Sequence, residues 1–172
     1  MNTCAEVCII GGGAAGMMAA LSAAKVLKAP GREGDVVLLE RNRVLGRKLA
    51  ITGKGRANVT NARSIDEFVQ AFGPSGKFLY PAFESFFAED LATVLGRAGL
   101  SLKMERGGRV FPVTDKAADV VQAFGLLLAQ AHVDIHYGVR VQDLQKAATG
   151  EWIICSEGFP AIRSKTVVVA TG

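Results

Sequence analysis

Three glycines with a regular spacing, Gly11, Gly13 and Gly16, follow a short apolar run near the start of the chain. They form a G-x-G-x-x-G pattern, and an alanine-rich stretch of helical composition comes next. In a strand–turn–helix unit the first glycine makes the turn, the second lets a pyrophosphate approach the backbone, and the third lets the helix pack on the strand. The N–H groups of Ala14 and Ala15 and the helix dipole then hold the anion. The segment predicts a dinucleotide site, although a strand-to-helix turn also uses glycine for steric reasons alone.

An acidic residue at the end of the second predicted strand strengthens this interpretation. Glu40 follows the apolar run at residues 36–39, a little over twenty residues after Gly16. A carboxylate there accepts hydrogen bonds from the 2′ and 3′ hydroxyls of an adenosine ribose and repels a 2′-phosphate. The two features together favour FAD or NAD over NADP. Residues 28–35 make the preceding loop somewhat longer than the usual spacing.

A basic, glycine-rich segment, G-R-K-L-A-I-T-G-K-G-R-A-N-V-T-N, occupies residues 46–61. Residues 41–63 contain seven Lys or Arg and no acid. The segment is too rich in glycine and polar residues for a continuous helix or strand, so we expect an ordered loop whose amides and cations hold phosphates and hydrogen-bond a heterocycle. The alternatives are a solvated basic loop and a nucleic-acid site, and the lack of aromatic residues speaks against the second.

The composition indicates a globular chain with one core: 172 residues, 49% hydrophobic, 21% charged, with a net charge of +4. No positive charge precedes the first apolar run, three glycines interrupt that run, and no apolar run reaches the roughly 18 residues of a membrane span. We therefore expect a cytoplasmic protein without membrane or nucleic-acid partners. Because Cys4, Cys8 and Cys155 match no zinc or redox spacing, and His132 and His136 lack a partner motif, we expect no metal.

Hydrophobic periodicity and turn signals predict the remaining elements. Strands are expected at residues 6–10, 36–40, 100–104, 109–111, 133–137, 139–144, 152–156 and 161–170, and helices at residues 14–27, 77–86, 89–98 and 115–131. A capping box of Ser64 and Glu67 predicts a further helix that ends before Gly73. The longest helix is expected to bury Ala118, Val121, Phe124, Leu128 and Ala131, and the core is expected to take up Phe78, Phe83, Phe86 and Phe87.

Taken together, these motifs resemble the BaiN/YhiN-type flavoproteins, also described as aminoacetone-oxidase-like FAD-dependent oxidoreductases. The resemblance rests on GGGAAG, on the strand that ends in Glu40 and Arg41, and on G-R-K-x-x-x-T-G-x-G-R-x-N-x-T-N. It continues through Gly76-Lys77-Phe78-Leu79, through Glu105 with G-G-R-V-F-P, and to the final V-V-V-A-T-G, so that it covers essentially the whole chain.

The resemblance implies an α/β fold: a Rossmann-like FAD-binding domain of the two-dinucleotide-domain, glutathione-reductase-like type, with inserted helices and a three-stranded meander. The implied layout is a βαβ unit at residues 1–45, a cofactor loop at 46–63, an insertion at 64–132, and the meander with a return strand at 133–172. The expected cofactor-binding residues are Gly11, Gly13, Ala14, Ala15, Gly16, Glu40, Arg41, Lys48, Gly53, Arg56, Asn58, Thr60, Val141, Thr171 and Gly172. Lys48 and Arg56 are the candidate cations beside the flavin, and the backbone at Val141 is expected against the adenine.

The function that the resemblance implies is that of an FAD-dependent oxidoreductase. Hydride would pass from NAD(P)H through FAD to a small organic substrate with an activated double bond, and no catalytic acid or base is assigned. The alternative is a non-catalytic dinucleotide-binding module or an inactive copy. Ala57 stands where the family usually has cysteine, and relatives continue well beyond the last strand, so we expect an N-terminal portion of the FAD domain that is inactive alone.

Overall fold

The chain forms two compact units in a computed structural model that describes residues 4–27 and 35–172. Residues 1–49 and 124–172 make the first unit, and residues 50–123 make the second. Most of the loop expected at residues 28–35 lies outside the described residues.

The helices and strands follow one another along the chain in a mixed order. They are β1 (Cys4–Ile10), α1 (Ala14–Val26), β2 (Val36–Glu40), α2 (Arg47–Ile51), a 3-10 turn (Thr52–Gly55), β3 (Thr60–Asn61), α3 (Ile65–Ala71), a 3-10 helix (Gly73–Leu79), α4 (Tyr80–Ser85), α5 (Ala88–Arg97), β4 (Leu102–Met104), a 3-10 turn (Arg106–Gly108), β5 (Arg109–Pro112), α6 (Ala117–Gln130), β6 (Asp134–Tyr137), β7 (Val141–Lys146), β8 (Trp152–Ser156) and β9 (Phe159–Val169).

A six-stranded sheet in the order β6-β2-β1-β9-β8-β7 organises the first unit. The four strands β6, β2, β1 and β9 run parallel, with Cys8 beside both Val37 and Val167. The strands β7, β8 and β9 form an antiparallel meander. The predicted Rossmann-like fold with a three-stranded meander is therefore confirmed, as is the return of the last strand to the side of β1.

The central strands of this sheet are buried on both faces. Because side chains alternate along a strand, Cys8 and Leu39 point to one face and Ile9 and Leu38 to the other, all at most 1% exposed. The first face packs against the meander, in a cluster of Cys8, Ile10, Val37, Leu39, Val139, Ile154 and Ile162. Helix α1 contacts β1, β2 and β9, and it buries Gly16, Met17, Ala20 and Ala24. Small residues on α1 thus allow close helix–sheet packing.

In the second unit, a three-stranded antiparallel sheet in the order β3-β5-β4 is accompanied by short helices. The capping box that starts α3 is confirmed, because Glu67 N donates to Ser64 Oγ and Ser64 N donates to the Glu67 carboxylate. The ring centroids of Phe68, Phe83 and Phe87 lie 4.9–5.7 Å apart in edge-to-face contacts. These contacts build an aromatic cluster of this unit.

Two expectations about the insertion are wrong in detail. Phe78 is 87% exposed and Phe86 is 37% exposed, so neither belongs to the core. Helix α6 buries Phe124 and Leu128 as expected, but it leaves Ala118 exposed and Val121 and Ala131 half-buried, and it buries Ala117, Val120 and Ala123 as well. As expected, the 46–61 segment is not one continuous helix or strand: it contains α2, a 3-10 turn and β3, and the short helical turns satisfy its backbone polar groups locally.

Among the described residues, no helix has both the length and the apolar character needed to cross a membrane. The same residues include no group of three or more His, Cys, Asp or Glu side chains arranged to hold a metal ion.

Candidate functional site

The three glycines of the G-x-G-x-x-G pattern meet different neighbours where β1 passes into α1. At Gly11, φ is +109°, and a Cβ would lie 2.5 Å from the carbonyl oxygen of Ala170 at the end of β9. At Gly16, a Cβ would overlap the carbonyl oxygen of Gly11. The fold itself therefore requires glycine at these two positions, one for the turn and one for the close approach of α1.

Gly13 differs, because the fold alone does not explain it. Its φ is −76°, which any residue adopts, and a Cβ built there would meet no atom of the described residues within 4 Å. A side chain at this position would project into open space beside the helix N-terminus. The open cradle is the space that a pyrophosphate needs next to bare backbone.

The N-terminus of α1 is free to bind an anion. No side chain of the described residues caps the helix, its first turn holds no acid, and Ala14 and Ala15 are exposed. The N–H groups of the first turn have no partner within a helix, and the helix dipole adds partial positive charge at that end. The residues present therefore fit a bound phosphate.

Glu40 is buried, with 6% of its surface exposed, and its carboxylate is held from both sides. Gly12 N donates to Oε2 at 2.7 Å. Asn42 donates to Oε1 through its backbone N at 2.7 Å and through Nδ2 at 2.5 Å. The acid at the tip of β2 is thus tied directly to the glycine turn. Asn42 was not among the residues predicted from the sequence, where its signal is an amide two residues after the acid that ends the strand.

These bonds set the expected result for Glu40→Ala. The substitution removes a charged acceptor for the ribose, so FAD affinity falls about ten- to a hundredfold. It also leaves the N–H of Gly12 and of Asn42 without an acceptor, so the melting temperature falls as well. Flavin fluorescence quenching and thermal melts measure the two effects. Glu84→Ala, at an exposed acid in α4 of the second unit, is the control. Unchanged FAD affinity in Glu40→Ala would remove Glu40 from the ribose site.

Other predicted site residues gather at the carboxyl end of the parallel strands in the first unit. Ala170 N donates to Ile10 O at 2.8 Å, which brings the terminal Ala-Thr-Gly beside the glycine turn. A cleft of about 370 Å³ is lined by Ile10, Val141, Gln142, Asp143, Leu144, Val169 and Thr171. The Lys48 ammonium lies beside Gly172, whereas Arg41 is exposed. Val141, Thr171 and Lys48 are therefore close to the edge of the sheet where the cradle opens.

Gly53, Arg56, Asn58 and Thr60 belong to the second unit. Gly53 has a φ of +58° inside the 3-10 turn, Asn58 is exposed, and Thr60 pairs with Val110 in the small sheet. These four predicted cofactor-binding residues therefore lie in the 3-10 turn, in the loop after it and in the small sheet of the second unit.

Arg56 is the centre of a charged network in the second unit. Its guanidinium lies 4.3 Å from the ring centroid of Phe111 and donates to Glu105 at 2.5 Å and to Asp115 at 2.5 Å. Lys103 Nζ donates to the other oxygen of Asp115 at 2.6 Å. Two carboxylates therefore offset the two cations. Asp115 has a φ of +56°, and no local sequence pattern identified it as the partner of Arg56.

The hydrogen bonds of the network shift the pKa values of Glu105, Asp115 and Arg56. Hydrogen bonds from Arg56 lower the pKa of Glu105, and hydrogen bonds from Lys103 and then Arg56 lower the pKa of Asp115. Bonds to Glu105 and Asp115 in turn raise the pKa of Arg56. All three groups are therefore charged at neutral pH.

We expect the network to make stability depend on pH on the acid side. Because both carboxyl pKa values are lower in the folded chain, the unfolded chain binds more protons, and stability falls as the pH drops below about 5. Asp115→Asn keeps a side chain that tolerates positive φ but removes the titrating charge. We expect its melting temperature to be lower than that of the wild type at pH 7 and to change less on acidification.

Thermal melts between pH 7 and pH 3 measure this difference, with Glu84→Gln as the control. Glu84 is exposed and has no ion pair with the described residues. An equal acid dependence in Asp115→Asn and the wild type would show that the network does not act on stability.

Ala57, which stands where the resemblance places a cysteine, is fully buried and has a φ of +55°. Its N–H donates to Thr52 O at 3.0 Å, which closes the loop. In this chain the position is therefore a tight packing site with an unusual backbone conformation.

Comparison with known proteins finds a related sequence and similar folds. A curated relative, the 3-dehydro-bile acid delta(4,6)-reductase of Clostridium scindens, is 35% identical over 168 residues, which cover 95% of this chain and 38% of the relative. The chain thus spans well under half the length of that protein.

Two solved structures have similar folds. The 3-ketosteroid-delta4-(5alpha)-dehydrogenase of Rhodococcus jostii RHA1 aligns with a TM-score of 0.64 at 19% identity, over 98% of this chain and 46% of its own. A flavocytochrome c3 fumarate reductase aligns with a TM-score of 0.69 at 21% identity, over 98% of this chain and 34% of its own. At these identities the likeness shows the fold alone.

Residues 5–172 match the family described as the HI0933-like protein Rossmann domain. This range includes the glycine turn, Glu40, the basic loop and the terminal Ala-Thr-Gly. The chain therefore belongs to the HI0933-like family, the BaiN/YhiN-type FAD-dependent oxidoreductases whose motifs it carries.

Proposed function

We propose that this chain binds the adenosine diphosphate half of FAD and serves an oxidoreductase that reduces an activated C=C bond. The observation that carries the proposal is the open cradle at Gly13 beside an uncapped helix N-terminus, with a buried carboxylate tied to the same turn. In the proposed complex, the first-turn amides of α1 hold the pyrophosphate, and Glu40 accepts a hydrogen bond from the ribose. Val141, in the neighbouring cleft, supports the adenine through its backbone.

The cations have different roles in this proposal. Lys48, beside Gly172, supplies positive charge towards the flavin end of the cofactor. Because the guanidinium of Arg56 is paired with two carboxylates, its electrostatic effect on the cofactor is weaker than that of an unpaired arginine. The chemistry supplied by bound FAD is hydride transfer from NAD(P)H to the C=C bond, which also takes up a proton from solvent.

The curated relative suggests the substrate class. It is named a 3-dehydro-bile acid delta(4,6)-reductase, so we propose a steroid-like small molecule with a double bond conjugated to a ketone. Because the chain spans 38% of that relative, we also propose that the 172 residues alone retain FAD weakly and do not turn over. The proposal further places the protein in the cytoplasm, with small molecules as its partners.

An anaerobic titration tests the function. FAD is added to the purified chain, and binding is followed by flavin fluorescence. NAD(P)H is then added, first to the chain alone and then to a longer protein that includes it, and the visible flavin absorbance is recorded. Bleaching in the longer protein, reversed by a 3-dehydro-Δ4,6 bile acid, supports the enzyme. Binding without bleaching in both proteins would identify a non-catalytic dinucleotide-binding module, which Ala57 in place of cysteine favours. Lack of FAD binding in both would refute the proposal.

A further inference from the structure

A chain of hydrogen bonds runs from the loop after β2 to the glycine turn. Arg47 Nη1 donates to Asn42 Oδ1 at 3.2 Å, and Asn42 Nδ2 donates to Glu40 Oε1 at 2.5 Å. On the other carboxylate oxygen, Glu40 accepts from Gly12 N at 2.7 Å. Asn42 is thus the link between an exposed arginine and the buried acid.

The surroundings of Asn42 fix the orientation of its side-chain amide. A guanidinium only donates hydrogen bonds and a carboxylate only accepts them, so Oδ1 must face Arg47 and Nδ2 must face Glu40. The backbone of the same residue is also held, because Gly138 N donates to Asn42 O at 3.1 Å and Asn42 N donates to Glu40. Glu40 therefore meets a donor whose position and direction are set by the fold.

These bonds limit the number of hydrogen bonds that the Glu40 carboxylate can still accept from a ligand. An ionised carboxylate has about four lone-pair positions, two on each oxygen. Asn42 occupies both positions on Oε1, and Gly12 occupies one on Oε2. One acceptor position, on Oε2, remains for a hydroxyl.

We propose that Asn42 is the positioning residue of the ribose site, and that it makes Glu40 select one ribose hydroxyl rather than both. This inference rests on the proposed binding of the adenosine diphosphate half of FAD. Asn42 itself does not touch the ribose; it acts by holding Oε1 and by presenting the free position of Oε2 in one direction.

Titration calorimetry with the whole chain and three nucleotides tests the inference: ADP, 2′-deoxy-ADP and 3′-deoxy-ADP. For the wild type, loss of the selected hydroxyl weakens binding about tenfold or more, whereas loss of the other changes it by about twofold at most. In Asn42→Ala, the backbone N of residue 42 still donates to Oε1, but the acceptor position that Nδ2 occupied becomes free and the carboxylate can turn. ADP then binds more weakly, and the two deoxy nucleotides differ from each other by about twofold at most.

Two variants on the exposed surface keep the test independent of folding. Arg47→Ala removes the bond that orients the amide of Asn42. Like Asn42→Ala, it therefore reduces the difference in affinity between the two deoxy nucleotides, and its melting temperature changes little. Arg43→Ala is the matched control, since Arg43 is exposed in the same loop and has no hydrogen bond to the described residues. Arg43→Ala retains the difference in affinity between the two deoxy nucleotides that the wild type shows.

The possible failures are separable. If the wild type binds none of the three nucleotides, the proposed function falls, and the inference falls with it. If the wild type loses equal affinity with both deoxy nucleotides, Glu40 does not select one hydroxyl. If Asn42→Ala and Arg47→Ala discriminate as the wild type does, Asn42 does not position the carboxylate, although the proposed function stands.

Discussion

Gly13→Val is expected to abolish cofactor binding while the chain stays folded. Its side chain enters the open space at the N-terminus of α1, where the structure places no protein atom of the described residues within 4 Å of the added Cβ. A pyrophosphate displaced from the first-turn amides loses several charge-assisted hydrogen bonds, so FAD affinity falls by about a hundredfold or more. Folding loses only a preferred N-cap residue, which costs about 1 kcal/mol.

Gly16→Ala is the matched control for Gly13→Val. It adds a single methyl group to the same turn, but that methyl overlaps the carbonyl oxygen of Gly11. We therefore expect Gly16→Ala to lower the melting temperature strongly, in contrast to Gly13→Val. Fluorescence quenching by FAD and thermal melts on both variants distinguish the two roles. If Gly13→Val melts as early as Gly16→Ala and its folded fraction binds FAD normally, Gly13 is a packing residue.

The sequence predicted the first unit well because its signals are local and consistent. The bounds expected for β2 and β8 match the structure, since continuous apolar runs end at an acid and at a polar turn. The roles of Gly11 and Gly16 were readable because a fixed spacing has one steric solution in a strand–turn–helix unit. What the pattern could not show is that Glu40 is already bonded to Gly12 and Asn42, since those contacts depend on side-chain directions.

Part of the buried face expected for helix α6 was wrong for a physical reason, although Phe124 and Leu128 are buried as expected. Its sequence, A-A-D-V-V-Q-A-F-G-L-L-L-A-Q, carries apolar residues around most of its circumference, so periodicity does not distinguish neighbouring faces. Ala117 and Val120 are buried where Ala118 and Val121 were expected. Tertiary packing decides which face of α6 is buried, and the amphipathic pattern of one helix does not encode that packing.

The phenylalanines of the second unit show the same limit. Phe83 and Phe87 pack with Phe68, whereas Phe78 is on the surface. All phenylalanine side chains have the same transfer free energy from water, so composition alone does not predict which of them are buried. The difference arises because Phe78 lies in the 3-10 helix at Gly73–Leu79, whose backbone is held by another contact.

That contact is the approach of Gly76 to α3, and it gives the second large prediction. A Cβ at Gly76 would overlap the carbonyl oxygen of Val69 and lie 2.8 Å from its carbonyl carbon. Both are backbone atoms of a helix, so neither moves without breaking α3. Overpacking of this kind costs about 3 kcal/mol or more, and we expect Gly76→Ala to melt about 10 °C lower than the wild type.

Gly96→Ala is the control for this prediction, with an effect of the opposite sign. Gly96 is exposed within α5, and an added Cβ meets no described atom within 4 Å. Alanine there stabilises the helix by about 0.5–1 kcal/mol, so the melting temperature rises by a few degrees. Differential scanning calorimetry on the two variants gives both shifts. A Gly76→Ala variant as stable as the wild type would mean that the 3-10 helix moves away from α3 at little cost. The glycine of the Gly76-Lys77-Phe78-Leu79 motif would then need another explanation than packing.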